Sequence, residues 1–262
     1  MLKWDRRQAL SGGLTNHVWR VWRGSETFIL KQAPPHMAAN PDIPLSSERI
    51  RFEQYGLEHA PRSAEVRVPR LVDAGDDWVL MEDLGPRDSL DTALIAGQRV
   101  SLEPLLEWLE ELHRREGPEN AGIQETRLEV QYRPLGLERF GQTLCQPGSA
   151  FIHGDLWPRS VLVGEGWLGL IDWEFCHHGR PGQDLGHLAA HLWMLHHVHG
   201  VGPDLDLQLD EVGRTHMAAE IRVRSEGPFV EGYLYEGRSA LAQHAAAYAR
   251  SISSSPAGSE PT

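Results

Sequence analysis

Across the first 85 residues the apolar positions come in short runs of β-branched and aromatic residues, the pattern of strands. In "LSGGLTNHVWRVWRG" a Gly-Gly turn precedes Val18 and Trp19 to Val21, which are expected to pair onward into "ETFILK" as a hairpin. A Pro-rich connection, "PPHMAANPDIPL", follows. The period then changes in "SSERIRFEQYGLEHA", where Ile50, Glu53 and Leu57 stand at i, i+3 and i+7 on one face of a helix with Ser47 as its predicted N-cap. A carboxylate on that apolar stripe needs a partner. "RVPRLVDAGDDWVLMEDLG" returns to two short strands about a turn at Gly75 to Asp77. Beyond Gly85-Pro86 the period is helical, in Leu102, Leu105, Leu109 and Leu112, in "DLGHLAAHLWMLHHV" and in "PFVEGYLYEGRSALAQHAAAYARS". Between those helices "AFIH", "SVLV" and "LGLID" read as short strands separated by turns.

The pattern divides the chain into a small β-rich lobe over 1–85, a larger, mostly helical lobe over 86–252 and a Ser/Pro/Gly-rich tail over 253–262 expected to be disordered. The predicted class is an α+β bilobal fold hinged at Glu82 to Pro86, and clefts between lobes are where ligands bind. At 262 residues and 29.4 kDa a core can form without covalent staples. Cys145 and Cys176 supply no disulfide framework, so a reducing, cytoplasmic location is expected. The N-terminal stretch has no signal-peptide core and no eighteen-residue apolar run occurs, which predicts a soluble protein without membrane contact.

A formal charge of -12 argues against nucleic acid as the partner, because that affinity rests on Lys and Arg neutralising phosphates. It would suit a cationic small molecule. Of 25 basic residues only Lys3 and Lys31 are lysines, and Lys31 closes the strand-like run "TFILK". A point-charge ammonium kept on a strand, amid so much arginine, marks Lys31 as a candidate.

In chain order stand a Gly-rich turn at Ser11 to Gly13, Lys31, Glu53, His153-Gly154-Asp155 and Asp172-Trp173-Glu174. Phosphoryl transfer from ATP asks for such a set: a loop over the phosphates, a strand lysine fixed by a helical glutamate, a catalytic-loop aspartate and a metal-binding aspartate. Each piece alone has a plain reading, since Gly-Gly is usually a hairpin turn and Asp and Gly are common turn residues. Asp172 and Glu174, two residues apart on an extended chain, would project to the same side as joint metal ligands. The joint order and spacing are far more specific than any one member.

Carried by "LSGGLTNHVWRV", "FILKQAPP", "SSERIRFEQYGLE", "VLMEDLG", "FIHGDLWPRSVLV", "LIDWEF" and "GRPGQDLGHLAAHL", the chain resembles the aminoglycoside phosphotransferase and choline kinase-like family of the protein-kinase-like fold. The resemblance spans nearly the whole chain. It implies that Gly12 and Gly13 cover the ATP phosphates, that Lys31 contacts them while paired with Glu53, and that Glu82, Asp83 and Leu84 present backbone groups to adenine. It implies that Asp155 accepts the proton of a substrate hydroxyl, that Asp172 binds Mg²⁺ with Glu174 as a further ligand, and that His153 and Asp184 brace the catalytic loop. The pattern breaks at Ser160, where the H-x-D-x-x-x-x-N spacing calls for asparagine. A serine hydroxyl can ligate Mg²⁺ but is shorter and lacks the amide oxygen. The expected activity is ATP- and Mg²⁺-dependent transfer of the γ-phosphoryl group to a small-molecule hydroxyl. The alternative is a catalytically reduced, pseudokinase-like nucleotide-binding or scaffold protein.

Two other readings compete. His187 and His191 stand at i, i+4 on a predicted helix, yet the zincin pattern H-E-x-x-H needs a glutamate where this chain has Leu188, so a structural or surface role is expected. A Ser-His-Asp hydrolase lacks its G-x-S-x-G turn. Asp204, Asp206, Asp210 and Glu211, in the region where acceptor specificity is expected, could face a cation but read first as solvated positions.

Overall fold

The computed structural model describes residues 3–10, 13–202, 207–227, 241, 243–245 and 247–248. The chain opens with β1 (Arg6–Ala9), β2 (His17–Arg23) and β3 (Glu26–Gln32), followed by a two-stranded ribbon of β4 (His36–Met37) and β5 (Asn40–Pro44). Helix α1 (Arg49–His59) leads to β6 (Val66–Arg67), β7 (Leu71–Ala74) and β8 (Trp78–Glu82). A five-stranded antiparallel sheet in the order β1-β2-β3-β8-β7 forms the first lobe. Its central register sets Lys31 between Val18 and Val79. The predicted hairpin is thus present, and the lysine sits mid-sheet, where its side chain is 3% exposed.

α1 buries Ile50, Glu53 and Leu57, as the spacing predicts. Its start differs from the prediction. The helix begins at Arg49, and no side chain caps it; Ser47 does not. The reason lies in Arg49, which is fully buried and donates to the carbonyls of Thr15, Pro34, Leu45 and Ser46, so a guanidinium ties down the turn that a serine cap was expected to hold. One close approach fixes the helix laterally: a Cβ on Gly56 would stand 2.4 Å from that of Trp173. Only glycine lets α1 lie against this indole, which is fully buried.

After the connection at 83–87 come β9 (Asp88–Ser89), α2 (Leu90–Ile95), α3 (Glu103–His113), α4 (Ala121–Arg127) and α5 (Glu138–Cys145). α3 buries Leu105, Leu109 and Leu112, with Leu102 just before it, the stripe read from the sequence. The segment after α5 supplies β10 (Ala150–Ile152), β11 (Val161–Val163), β12 (Leu168–Leu170) and β13 (His177–Gly179), and the chain continues in α6 (Pro181–His199) and α7 (Glu211–Glu226). A four-stranded sheet in the order β6-β12-β11-β9 knits residues before the hinge to the β11-β12 hairpin. β10 pairs with β13, Ile152 opposite His177, which aims the next residues, His153 to Asp155, at the gap between the lobes. One apolar core runs through Ile50, Leu57, Met81, Leu109, Phe151, Trp173 and Leu188.

Among the described residues no helix is long and apolar enough to cross a membrane. Cys145 and Cys176 are free thiols. The helical reading of "PFVEGYLYEG", the 253–262 tail, Asp204 and Asp206 fall outside the described residues.

Candidate active site

Lys31 donates from Nζ to Glu53 Oε2 at 2.8 Å and to Asp172 Oδ1 at 2.9 Å. Three elements far apart in sequence, β3, α1 and the turn after β12, therefore meet at one ammonium. Burial alone would favour the neutral amine, but the Asp172 and Glu53 carboxylates, with Glu174 beyond, outweigh it and raise Lys31 above the ordinary lysine value. The helical carboxylate on the apolar stripe has its partner. Glu53 is almost wholly enclosed, whereas the Asp172 side chain is 42% exposed and faces the cavity.

Asp172 takes a left-handed conformation, φ 66 and ψ 59, the single positive φ of a non-glycine residue among those described. Trp173–Phe175 then form a 3-10 turn. The chain between Asp172 and Glu174 is therefore a turn and not the extended segment read from the sequence. The turn swings Glu174 back toward the first lobe, where it accepts from Thr15 Oγ1 at 2.5 Å and Asn16 Nδ2 at 2.5 Å, with Arg49 Nε at 3.3 Å. Glu174 is a latch that ties the end of the Gly-rich turn to the second lobe. Glu174→Gln is expected to raise the KM for nucleotide by about tenfold, the worth of one charge-assisted hydrogen bond of about 1.5 kcal/mol, with a smaller effect on kcat. Initial rates at varied ATP check this.

His153 and Asp184 are both hydrogen-bonded at the turn that carries Asp155. Asp184 is fully buried and accepts from the amides of His153 and Gly154 at 2.8 Å each, while His113 Nε2 stands 3.0 Å from it. His153 Nε2 lies 2.9 Å from the carbonyl of Ile171, coupling the loop to the strand end that carries Asp172. Burial holds the His153 imidazole below the ordinary histidine value, with Asp184 opposing. Gly154 has φ 79, and a Cβ there would stand 2.1 Å from the carbonyl oxygen of Phe175. Gly154→Ala is expected to cost about 2–5 kcal/mol of stability from strain and crowding together, measured by denaturant unfolding.

Asp155 follows, at the mouth of the gap. Arg127 grips it, donating from Nη1 to the Gly154 carbonyl at 2.6 Å and from Nη2 to Asp155 Oδ1 at 3.2 Å. Ser160 does not join this face. Its side chain is wholly buried, with Oγ accepting from the Trp157 amide at 3.1 Å and lying 2.7 Å from the Trp157 carbonyl, so the hydroxyl closes the loop on itself.

A cavity of about 490 Å³ opens between the lobes, walled by Val18, Ile29, Met81 and Leu84 on its apolar side and reaching Lys31 and Asp172. Glu82 borders it with its N–H given to the Arg70 carbonyl and its carboxylate accepting the Arg70 amide; Asp83 is gripped by Arg20. A smaller cavity of about 100 Å³ adjoins it, sharing Gly13, Lys31, Trp157 and Asp172 and adding Asp155, Arg127 and Arg224. Gly13 thus borders both, and Gly12 lies outside the described residues. Asp210 is engaged in capping α7 through the Gly213 amide, and Glu211 is exposed.

Sequence reasoning missed Thr15, Asn16, Arg49, His113 and Arg127, each of which positions a predicted residue. Thr15, Asn16 and Arg49 lie within the stretches that carry the resemblance but had no role assigned there, His113 and Arg127 lie outside them, and the partners stand up to 159 positions away, as Thr15 does from Glu174.

Residues 6–210 match the family model of the phosphotransferase enzyme family, and the chain belongs to that family. It is 22% identical over 242 residues to 4-hydroxytryptamine kinase of Psilocybe cyanescens, covering 71% of this chain and 67% of that one. It is 25% identical over 252 residues to methylthioribose kinase of Exiguobacterium sibiricum, covering 78% of this chain and 64% of that one. The fold matches the crystal structure of aminoglycoside phosphotransferase APH(4)-Ia with a TM-score of 0.60, at 14% identity over 98% of this chain and 95% of that one. The architecture is therefore the bilobal, protein-kinase-like α+β fold.

Proposed function

We propose that this chain transfers the γ-phosphoryl group of Mg·ATP to a hydroxyl group of a small molecule. The observation that carries the reading is that Lys31, Asp172 and Asp155 border one continuous gap, the first two bonded to each other and the third across from them. The apolar wall of Val18, Ile29, Met81 and Leu84 suits a purine, and the Lys31 ammonium stands where a phosphate would enter.

The donor set fits a hard cation at Asp172. One of its oxygens meets Lys31, and the carboxylate remains open to the cavity. Asp172 would hold Mg²⁺, which supplies charge neutralisation to the phosphates when bound. Ser160 is turned inward on its own loop and Glu174 is engaged by Thr15 and Asn16, which supports a proposal of a single ion held by Asp172. Asp155 acts as the proton acceptor for the attacking hydroxyl. Arg127 holds that carboxylate in register from one side and the preceding carbonyl from the other, so the base is oriented before the acceptor arrives. Lys31, kept charged by its two carboxylates, stabilises negative charge spreading over the transferring group.

The acceptor end holds both signs of charge, with Asp155 facing Arg127 and Arg224. A neutral or cationic hydroxyl compound remains the proposed acceptor class. The test is ADP release by the purified chain against a panel of amino sugars, amino alcohols, thioribosides and hydroxyindoles, with product mass confirming the added phosphoryl group. Acceptor-dependent ADP release supports the reading. Nucleotide binding with no release across the panel, and none in water alone, favours the pseudokinase-like alternative.

A further inference from the structure

Behind Asp155, on the side away from the nucleotide cavity, α6 and α7 enclose a group of imidazoles about one carboxylate. His187 and His191 stand one turn apart on α6 with ring centroids 5.0 Å apart. Glu220 rises from α7 to face both: His191 Nε2 is 3.4 Å and His187 Nε2 is 3.9 Å from the same oxygen, Oε1. One ligand atom from each of the three residues falls within 4.8 Å of the others, and all three residues are buried. His187 Nε2 is enclosed by protein without a hydrogen-bond partner, although Asp155 Oδ1 lies 3.6 Å away. The ring's other nitrogen, Nδ1, is 3.2 Å from His216 Nε2. With the proton on Nδ1 and donated to His216, the Nε2 lone pair would point at two carboxylates, an arrangement that calls for a cation between them.

We propose that His187 Nε2, His191 Nε2 and Glu220 Oε1 form a binding site for a divalent transition ion of the Zn²⁺ class, separate from the Mg²⁺ position proposed at Asp172. Two imidazoles and a carboxylate select a borderline ion over Mg²⁺ or Ca²⁺, which prefer all-oxygen sets. Tetrahedral donors about 2.0–2.1 Å from an ion stand roughly 3.4 Å apart, close to the two separations observed here, 3.4 and 3.9 Å. The absence of H-E-x-x-H is immaterial, since the carboxylate comes from the neighbouring helix, as in metal sites of helical bundles.

The surroundings are those of an outer shell. Arg224 Nε donates at 2.6 Å to Glu220 Oε1, the oxygen that faces the imidazoles, the Tyr132 hydroxyl donates to Oε2 at 3.4 Å, and His216 stands against the His187 ring. A carboxylate oxygen has two lone pairs, so the guanidinium leaves one for an ion. Its positive charge also weakens the hold, and the ion is expected to exchange with chelators. Burial keeps both imidazoles below the ordinary histidine value.

The test uses the untagged full chain, stripped with a chelator and titrated with Zn²⁺ alone. Retention of a single equivalent, a raised melting temperature and Zn K-edge absorption with the back-scattering of two imidazoles are expected. His191→Asn should lose that equivalent while His197→Asn, outside the cluster, keeps it. Failure to bind Zn²⁺ would overturn the proposal. So would equal retention by a His187→Asn/His191→Asn double variant, which would assign the ion to other histidines. Should the variants not fold, the absorption spectrum of the wild-type chain decides, with fewer than two imidazoles counting against the site. None of these readouts depends on kinase activity.

Discussion

Asp155→Asn is expected to lower turnover by about 10²–10⁴-fold, the usual contribution of a positioned general base. Asparagine keeps the size of the side chain and an oxygen for Arg127, which donates to Asp155 Oδ1 at 3.2 Å, so the loop geometry should survive. What is lost is a carboxylate able to take the hydroxyl proton. The KM for ATP should change little, because Asp155 borders the smaller cavity and not the larger one. Steady-state ADP release with an accepted hydroxyl compound measures the effect, and an unchanged kcat would remove Asp155 from the chemistry.

Asp184→Ala is expected to destabilise the fold by about 3–5 kcal/mol and to abolish most activity with it. The carboxylate accepts two backbone amides of the turn that carries Asp155, those of His153 and Gly154, and stands beside His113. Alanine leaves both N–H groups buried without an acceptor, and each such loss costs about 1–3 kcal/mol. Burial alone would raise this carboxyl, but the His113 hydrogen bond and charge, with those from His153, outweigh it and hold it below the ordinary carboxylate range. A carboxylate held down in the fold gives stability that is full above its unfolded value and is lost as pH falls through its folded one. The gap between wild type and Asp184→Ala should therefore be widest near neutral pH and narrow in acid, which urea unfolding at several pH values checks.

Much of this site was legible because its chemistry sits in short motifs. Lys31 at the end of a strand, Asp155 in its turn and Asp172 after an apolar run could be placed by periodicity, and the carboxylate on the apolar face of α1 called for a partner. The misreadings come from backbone geometry that hydrophobic period does not encode. The left-handed φ of Asp172 breaks the extended chain that would have set Glu174 beside it on one side. Ser160 looked like a shortened ligand, yet it is enclosed and closes its own loop. Arg49 drew no reading from the pattern, whereas its guanidinium organises four carbonyls. Glu220, on a helix 65 residues beyond Asp155 in the numbering, carried no sequence signal linking it to His187 and His191, because that proximity arises only when α6 packs on α7.

The proposed gathering of Lys31, Asp172 and Asp155 around one triphosphate is tested most directly by a crystal structure of the chain with Mg²⁺ and a non-hydrolysable ATP analogue. The predicted result is one Mg²⁺ on Asp172, the Lys31 ammonium on the phosphates and Asp155 facing the terminal phosphoryl group. Phosphates bound away from Lys31, or an ion coordinated by Ser160 with Asp172 turned aside, would contradict it.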